Sequence, residues 1–504
     1  MLQKNIWKSF FSFLGCSIFI LFAASVVHSS RSHVLADDEK VIVRANQPIS
    51  EGKRIGNTDY YLLSAKAARN LTRSQAVSSY AVQSYKTTTT NDPLEPQAYL
   101  TLLAAADAWN ITTGSSDTVV AVIDTSFALQ HEDLEGRWFI NEAEYGPTND
   151  EGPEPNCTSR GLELDKSCNN IDDSSNGLVD DWRGWDFYNN NNSVSAGETN
   201  PDGSGVQHGT MVSGMVGATG DNGVGIASIN WQTTILPIQV FNDDGAATTF
   251  ELAEGLSYAI EMGADVINMS LGTTGFDMVI EDLLLQARDE GIVVVAAAGN
   301  CGGSNYALNG CSFQGQMLYP ATSEYTITVG GTTFNDEQAS FSSEGEKMDI
   351  AAPATGQIRT TRYNKDNELG AYSLAAAGTS FAAPIVSGLA ASILSLWPQA
   401  TPTEVRDMLV DTALRVSEMD GDVFTDQHGF GRIRPSSSFD LTENCKNSTI
   451  TADINCDGLV DLLDLSLLAT YWQVERTGRS DINNSGVVDL LDLSILASNW
   501  GERE

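Results

Sequence analysis

Residues 119–125 read VVAVIDT. Five apolar, mostly β-branched residues are too few for a helix core and suit a strand buried on both faces, so Asp124 should emerge at the strand's end. Working outward, ADVINMS (264–270), GIVVVAAAG (291–299) and YTITVGG (325–331) have the same character, with helical stretches such as ELAEGLSYAIEMG (251–263) between them. That alternation predicts an α/β fold, a parallel sheet with helices on both faces.

Two further segments carry chemistry. His208 opens HGTMVSGMVGA (208–218) and Ser380 lies in GTSFAAP (378–384), each ahead of small apolar residues that read as a helix. A nucleophile at a helix N-terminus faces unpaired backbone N–H groups and the positive end of the dipole, both suited to a developing oxyanion. An acid, a base and a nucleophile thus follow one another as Asp124, His208 and Ser380. Beyond residues 1–36 the only other imidazoles are His131 and His428.

With VVAVIDT, HGTMVSGMVGA, VVAAAGN (294–300) and GTSFAAP in this order, the stretch 93–440, including GFGRI (429–433), resembles the subtilisin-like serine proteases. The resemblance implies endopeptidase cleavage of a protein or peptide substrate through an acyl-enzyme. Ser380 would be the nucleophile, His208 the base, Asp124 its orienting acid and Asn300 the oxyanion-hole amide. Ser270, Leu271 and Gly272 match the strand against which substrate backbone pairs, a mode tolerant of many sequences. The chain departs from the family at Ser126, where Gly is usual, and at Met211, where His is usual. Gly209, Ser213, Gly214 and Gly217 should allow close packing of the helix beside the base.

At 504 residues the chain should hold about three units. Its net charge of -38, from 66 acidic and 28 basic residues, argues against nucleic acid and fits solubility and calcium. Lys4 and Lys8 precede an apolar run from Phe10 to Val27, so residues 1–36 read as a secretory signal, with rival cleavage points at Ser25 to Ser30. A secreted or cell-surface location without membrane contact after cleavage follows, a retained anchor being the alternative. Residues 37–92 read as a propeptide or plain N-terminal extension, with a strand at VIVR (41–44) and helical pieces near Tyr61 to Arg69. Residues 142–200, rich in Asn, Asp, Gly and Pro, read as a surface insertion. Cys157 with Cys168, Cys301 with Cys311 and Cys445 with Cys456 suggest local disulfides, although six cysteines allow 15 connectivities. Zinc is the weaker reading.

DINCDGLVDLLDLSLLATYW, from Asp453, recurs 28 residues later as DINNSGVVDLLDLSILASNW, from Asp481. Both copies have calcium-loop spacing, with oxygen ligands at positions 1, 3, 5, 7, 9 and 12 and Gly at 6. In the first the ligands are Asp453, Asn455, Asp457, the Leu459 carbonyl, Asp461 and Asp464. In the second they are Asp481, Asn483, Ser485, the Val487 carbonyl, Asp489 and Asp492. Asp stands at position 12 where Glu is ordinary, and no helix precedes either loop. These features resemble a dockerin domain over residues 451–502, which implies a small all-α module, calcium, and a cohesin-type scaffold partner. Four carboxylates against three predict tighter binding in the first loop. Leu465, Leu468, Trp472, Leu493, Leu496 and Trp500 should form its core. Leu462, Leu463, Leu490 and Leu491 stand where cohesin-binding dockerins often carry small hydroxylated residues.

A third acidic stretch, DDSSNGLVDD (172–181), echoes these loops but has Arg183 at position 12. It reads either as a variant calcium loop or as a solvated turn stapled by Cys157 and Cys168. Two rival functions are a silent binding protein on a protease fold and a role in polysaccharide breakdown. The first has no need of Asp124, His208, Asn300 and Ser380 together, and no carboxylate pair can be assigned to the second.

Overall fold

The computed structural model describes four strands within residues 40–81, and residues 90–503 except 95–96, 151, 153–156, 158–163, 196–206, 243–244, 357, 364–371, 475–477 and 484. The signal expected over 1–36 lies outside the described residues.

Residues 1–86 are a unit of their own. Its strands β1 (Lys40–Ala45), β2 (Lys53–Arg54), β3 (Tyr60–Ser64) and β4 (Ala76–Ala81) form an antiparallel sheet in the order β2-β3-β1-β4. The helix expected near Tyr61 is therefore a strand. Tyr61 pairs with Val43 and Leu63 with Val41, a ladder of β-favouring residues that overrides a short helical pattern.

Residues 87–504 form the second unit. Seven parallel strands run in the order β11-β10-β9-β8-β5-β7-β6. They are β5 (Val119–Asp124), β6 (Trp185–Asp186), β7 (Thr234–Gln239), β8 (Val266–Met269), β9 (Val293–Ala297), β10 (Ile327–Thr332) and β11 (Ile350–Pro353). Val120 and Val122 enter one core while Ala121 and Ile123 enter the other, which is why VVAVID is apolar throughout.

Two short helices, α1 (Ala98–Leu102) and α2 (Ala105–Trp109), precede β5. Helices α3 (His208–Gly217) and α6 (Thr379–Leu396) cover one face of the sheet, and α4 (Thr249–Glu261) and α5 (Met278–Asp289) the other. Among the described residues α6 alone has the length and apolarity to cross a membrane, and it is buried against the sheet. Strands β12 (Ile358–Thr361) and β13 (Tyr372–Ala376) form a hairpin beside α3.

Pro237 lies inside β7, where proline argues against a strand. The N–H of Ile235 bonds to Arg137, and the carbonyl of Gln239 accepts from Phe187. By alternation the missing N–H of Pro237 also faces the outer side, away from β5. Within the expected insertion, Trp185 and Asp186 pair with Ile238 and Gln239, so its last part closes the sheet edge.

After α7 (Pro402–Asp411) and α8 (Pro435–Cys445) come the repeat helices α9 (Leu462–Thr470) and α10 (Leu490–Ser498). Leu468 and Leu496 are buried together with Val460, Val488, Tyr471 and, from outside the repeats, Val410 and Phe430. Leu465, Trp472 and Leu493 pack against that cluster. Trp500 departs from expectation: it is 47% exposed, lying beyond the end of α10, whose C-cap is Asn499. The disulfides are Cys157–Cys168, Cys301–Cys311 and Cys445–Cys456, the last joining the end of α8 to the first repeat loop.

Candidate active site

The singled-out groups gather at the carboxyl ends of β5, β8 and β9, where an open parallel sheet places ligand sites. Asp124 ends β5 and is buried. His208 opens α3, held there because the Gly209 N–H donates to Thr125 Oγ1 at 2.9 Å. A side chain at position 209 would stand 2.7 Å from the Thr125 carbonyl, which explains the glycine after His208. Likewise Gly214 lies against Thr360 and Thr361, and Gly217 against Thr233.

His208 Nδ1 lies 2.9 and 2.8 Å from the two oxygens of Asp124. A carboxylate only accepts there, so Nδ1 carries the proton and Nε2 keeps its lone pair. Burial lowers the imidazole's pKa, but the charge and hydrogen bond of Asp124 outweigh it and leave the pKa raised. The ring sits 5.6 Å from that of Phe381, the residue after Ser380.

Ser380 occupies the first turn of α6, after Gly378 at φ 142°. Its Oγ donates to the Ser270 carbonyl at 3.3 Å, and its own carbonyl accepts from Ser270 Oγ at 2.9 Å. The second bond depends on Pro384. Four residues on in the helix, Pro384 has no N–H to offer the Ser380 carbonyl, which is free for the Ser270 hydroxyl. Asn268 Nδ2 donates to Ser270 Oγ, and Ser387 Oγ to Asn268 Oδ1, each at 2.9 Å. This buried chain locks the start of α6 to the end of β8. Asn268 and Ser387 were not singled out from the sequence, where the signal is Pro384 four places after Ser380.

Asn300 follows β9, and its Oδ1 accepts from the Thr379 N–H at 2.9 Å and from Thr379 Oγ1 at 3.1 Å. With the oxygen so fixed, the NH2 end is the donor left for a ligand. Leu271 is half-buried and Gly272 exposed. A side chain at position 272 would meet Leu318 at 2.8 Å. Ser126 is buried and Met211 packs against the core, so both departures from the family pattern are packing positions.

In the repeats, Asp453 accepts from the N–H groups of Asp457 and Gly458, and Asp481 from those of Ser485 and Gly486. Asp464 accepts from Ile454, Asn455 and Asp461, and Asp492 from Asn483 and Asp489. Asn455 Nδ2 reaches Asp457, and Ser485 Oγ the Val487 carbonyl. Asp461 and Asp489 are the N-caps of α9 and α10, with Asp464 and Asp492 as third residues of capping boxes. Positions 9 and 12 therefore start the helix as well as offering oxygens. Among the described residues no three carboxylate, imidazole or thiol groups already stand as a metal cage. The loops mix carboxylates with amides, a hydroxyl and carbonyls, a donor set that suits a hard, flexibly coordinated cation such as calcium.

An acid-held imidazole, with its ring 5.6 Å from that of the residue after a helix-borne serine, at the strand ends of a parallel sheet, fits the class of serine hydrolases. Residues 115–437 match the model of the Subtilase family, and residues 451–500 that of the Dockerin type I domain. The chain belongs to the subtilase family, and it is a subtilisin-like serine endopeptidase with a dockerin domain. It is 36% identical to subtilisin DY of Bacillus licheniformis over 225 residues, 45% of this chain and 76% of that protein. To subtilisin E of Bacillus subtilis it is 37% identical over 216 residues, 43% of this chain and about half, 53%, of that protein. A solved protease from Pseudoalteromonas arctica is matched over 70% of this chain and 100% of its own, with a TM-score of 0.51 and 25% identity.

Proposed function

We propose that the protein is an exported endopeptidase acting through an acyl-enzyme on Asp124, His208 and Ser380, and that it carries a calcium-dependent docking module. Ser380 Oγ attacks the scissile carbonyl carbon while His208 Nε2 takes its proton. His208 returns that proton to the leaving amine as the C–N bond breaks, and water then releases the acyl group by the same exchange. Asp124 fixes the tautomer and stabilises the imidazolium. The Asn300 NH2 group and the Ser380 N–H receive the oxyanion. Residues 270–272 receive substrate backbone as an added strand. The observation that carries this reading is the two-oxygen grip of Asp124 on Nδ1, which leaves Nε2 as the proton acceptor of a ring that sits 5.6 Å from that of Phe381, the neighbour of Ser380.

Calcium, when bound, neutralises the converging carboxylates of each repeat loop, with the twelve ligands named above. Leu462, Leu463, Leu490 and Leu491 are all at least half exposed, one pair at the start of each repeat helix. Exposed apolar pairs in both copies favour a protein partner, of the cohesin type that dockerins imply. Residues 1–36 are the export signal, which places the enzyme outside the cell or at its surface, and 37–92 the pro-region.

A fluorophosphonate probe tests the catalytic reading. The processed, calcium-loaded enzyme should label and Ser380→Ala should not. Absence of labelling in a folded parent would instead make the chain a silent binding protein.

A further inference from the structure

The acidic stretch of the insertion, unused by the catalytic reading, folds as the two repeat loops do. Asp172 Oδ1 accepts from the Asn176 N–H at 3.2 Å, and Oδ2 from the Gly177 N–H at 2.8 Å. The matching distances are 3.2 and 2.8 Å at Asp453, and 3.0 and 2.7 Å at Asp481. Asn176 Oδ1 accepts from the Leu178 N–H at 2.8 Å, as Asp457 Oδ1 does from Leu459 at 3.1 Å. Ser175 at φ 63° and Gly177 at φ 93° are left-handed, like Cys456 at 54° and Gly458 at 87°.

Arg183 occupies position 12, where the repeats have an acid. The missing carboxylate comes from another part of the insertion. Glu144 ends a short helical turn (Glu142–Glu144), and its Oε1 accepts from the Ser174 N–H at 2.6 Å. That third-position N–H is the one Asp464 receives from Asn455 at 3.2 Å, and Asp492 from Asn483 at 3.0 Å. In the repeats the acid's other oxygen is satisfied by the position-9 N–H. At Glu144 it is not: the residue is 0% exposed, and Oε2 has no hydrogen-bond partner. Desolvation, with Asp181 and Asp173 nearby, opposes charge on this carboxylate by more than its bonds from Ser174 offset.

We propose that Glu144 completes a third calcium site with Asp172, Ser174, Asn176 and the Leu178 carbonyl, standing in for the absent twelfth residue. All donors are oxygens, which selects a hard cation over zinc, and a glutamate restores the two-oxygen ligand that ordinary calcium loops carry at position 12. Asp181 anchors the loop, accepting from Asn176 Nδ2 at 3.0 Å, from Asn141 Nδ2 at 3.0 Å and from Tyr258 of α4 at 2.8 Å. A cation there would tie the insertion to the helix layer beside edge strand β6. With only two carboxylates among its ligands, the site should be weaker than either repeat loop, with a dissociation constant of about 0.1–1 mM, as in extracellular modules.

The inference rests on reading the repeats as calcium loops, and the test separates the two. The full processed chain, carried as Ser380→Ala to prevent self-cleavage, is titrated with calcium and its stoichiometry read by native mass spectrometry. Glu144→Gln should bind one ion fewer than its parent at millimolar calcium while keeping its circular dichroism. Asp464→Asn and Asp492→Asn should each remove a different ion and leave the third in place. In the parent itself, amide exchange over residues 172–181 should slow on adding calcium, with a midpoint of about 0.1–1 mM. Unchanged stoichiometry in a folded Glu144→Gln, or unchanged exchange over 172–181 in the parent, overturns the proposal. Loss of calcium response at the repeats alone overturns their reading and not this one.

Discussion

The cleft and the repeat loops solve the same problem, fixing charged groups within hydrogen-bond reach, in opposite ways. The cleft draws on positions 124, 208, 300 and 380, brought together only when β5, β8, β9, α3 and α6 are packed. Each repeat loop closes on itself within twelve positions and is held by its own backbone N–H groups. Precision at the cleft is thus a property of the whole sheet, while precision in the loops is local to each twelve-position stretch. The insertion loop lies between these cases, local in its backbone but borrowing Glu144 from outside.

Substitutions at four places, the base's acid, the oxyanion amide, the two repeat loops and one disulfide, would break or sharpen this contrast, ordered by their expected effect on turnover of a small peptide. Asp124→Asn should lower kcat by about 10⁴-fold with the fold intact, because the imidazole loses its tautomer. Neutral His208 is the active form, so a raised pKa sets the parent's acid limb above about 6.5. Removing the Asp124 charge leaves burial as the chief influence, and the limb of kcat/KM against pH should move down; a limb that stays put would detach Asp124 from the base.

Asn300→Ala should cost about 100- to 1000-fold in kcat with little change in KM. A rise in KM alone would make Asn300 a ground-state contact. Asp464→Asn and Asp492→Asn should leave peptide turnover nearly unchanged while each weakens calcium at its own loop. Because the first loop has the extra carboxylate, calcium titration of the parent should show its step at least about tenfold tighter. Equal steps would mean that Asp457, standing where the second loop has Ser485, adds nothing to affinity.

Cys445→Ser with Cys456→Ser should affect turnover least. It should lower the module's stability to denaturant by about 2–4 kcal/mol, read from Trp472 fluorescence. An unchanged midpoint would show that the packing of Phe430 on Tyr471, with ring centroids 6.2 Å apart, suffices to hold the module.

What the sequence disclosed follows the same division. Strands buried on both faces announced β5, β8, β9 and β10 by mainly apolar runs, and the loops announced themselves because their ligands lie within twelve positions. β7 was hidden by Pro237, whose acceptability depends on which way residue 237 turns its backbone. β6, at two residues, carries no periodicity at all. The bracing of Ser380 by Ser270, Asn268 and Ser387 was illegible because it joins a strand to a helix more than a hundred positions away. Glu144 was missed for the same reason: no spacing rule links it to Asp172. Trp500 misled because its twin position in the first repeat, Trp472, does pack inward.

The bond between Cys445 and Cys456, together with the Arg479 N–H donating to Asp411 and the packing of Tyr471 near Phe430, ties the module to the sheet domain at several points. Most recognition modules hang from a leash and let the cargo sweep a volume. With the handle fixed to the blade in this way, a partner that gripped the exposed leucines would also set the compass bearing of the cleft. Reach would then be decided by the geometry of the anchoring surface, and neighbours outside that fixed arc would be spared however well their sequences fit.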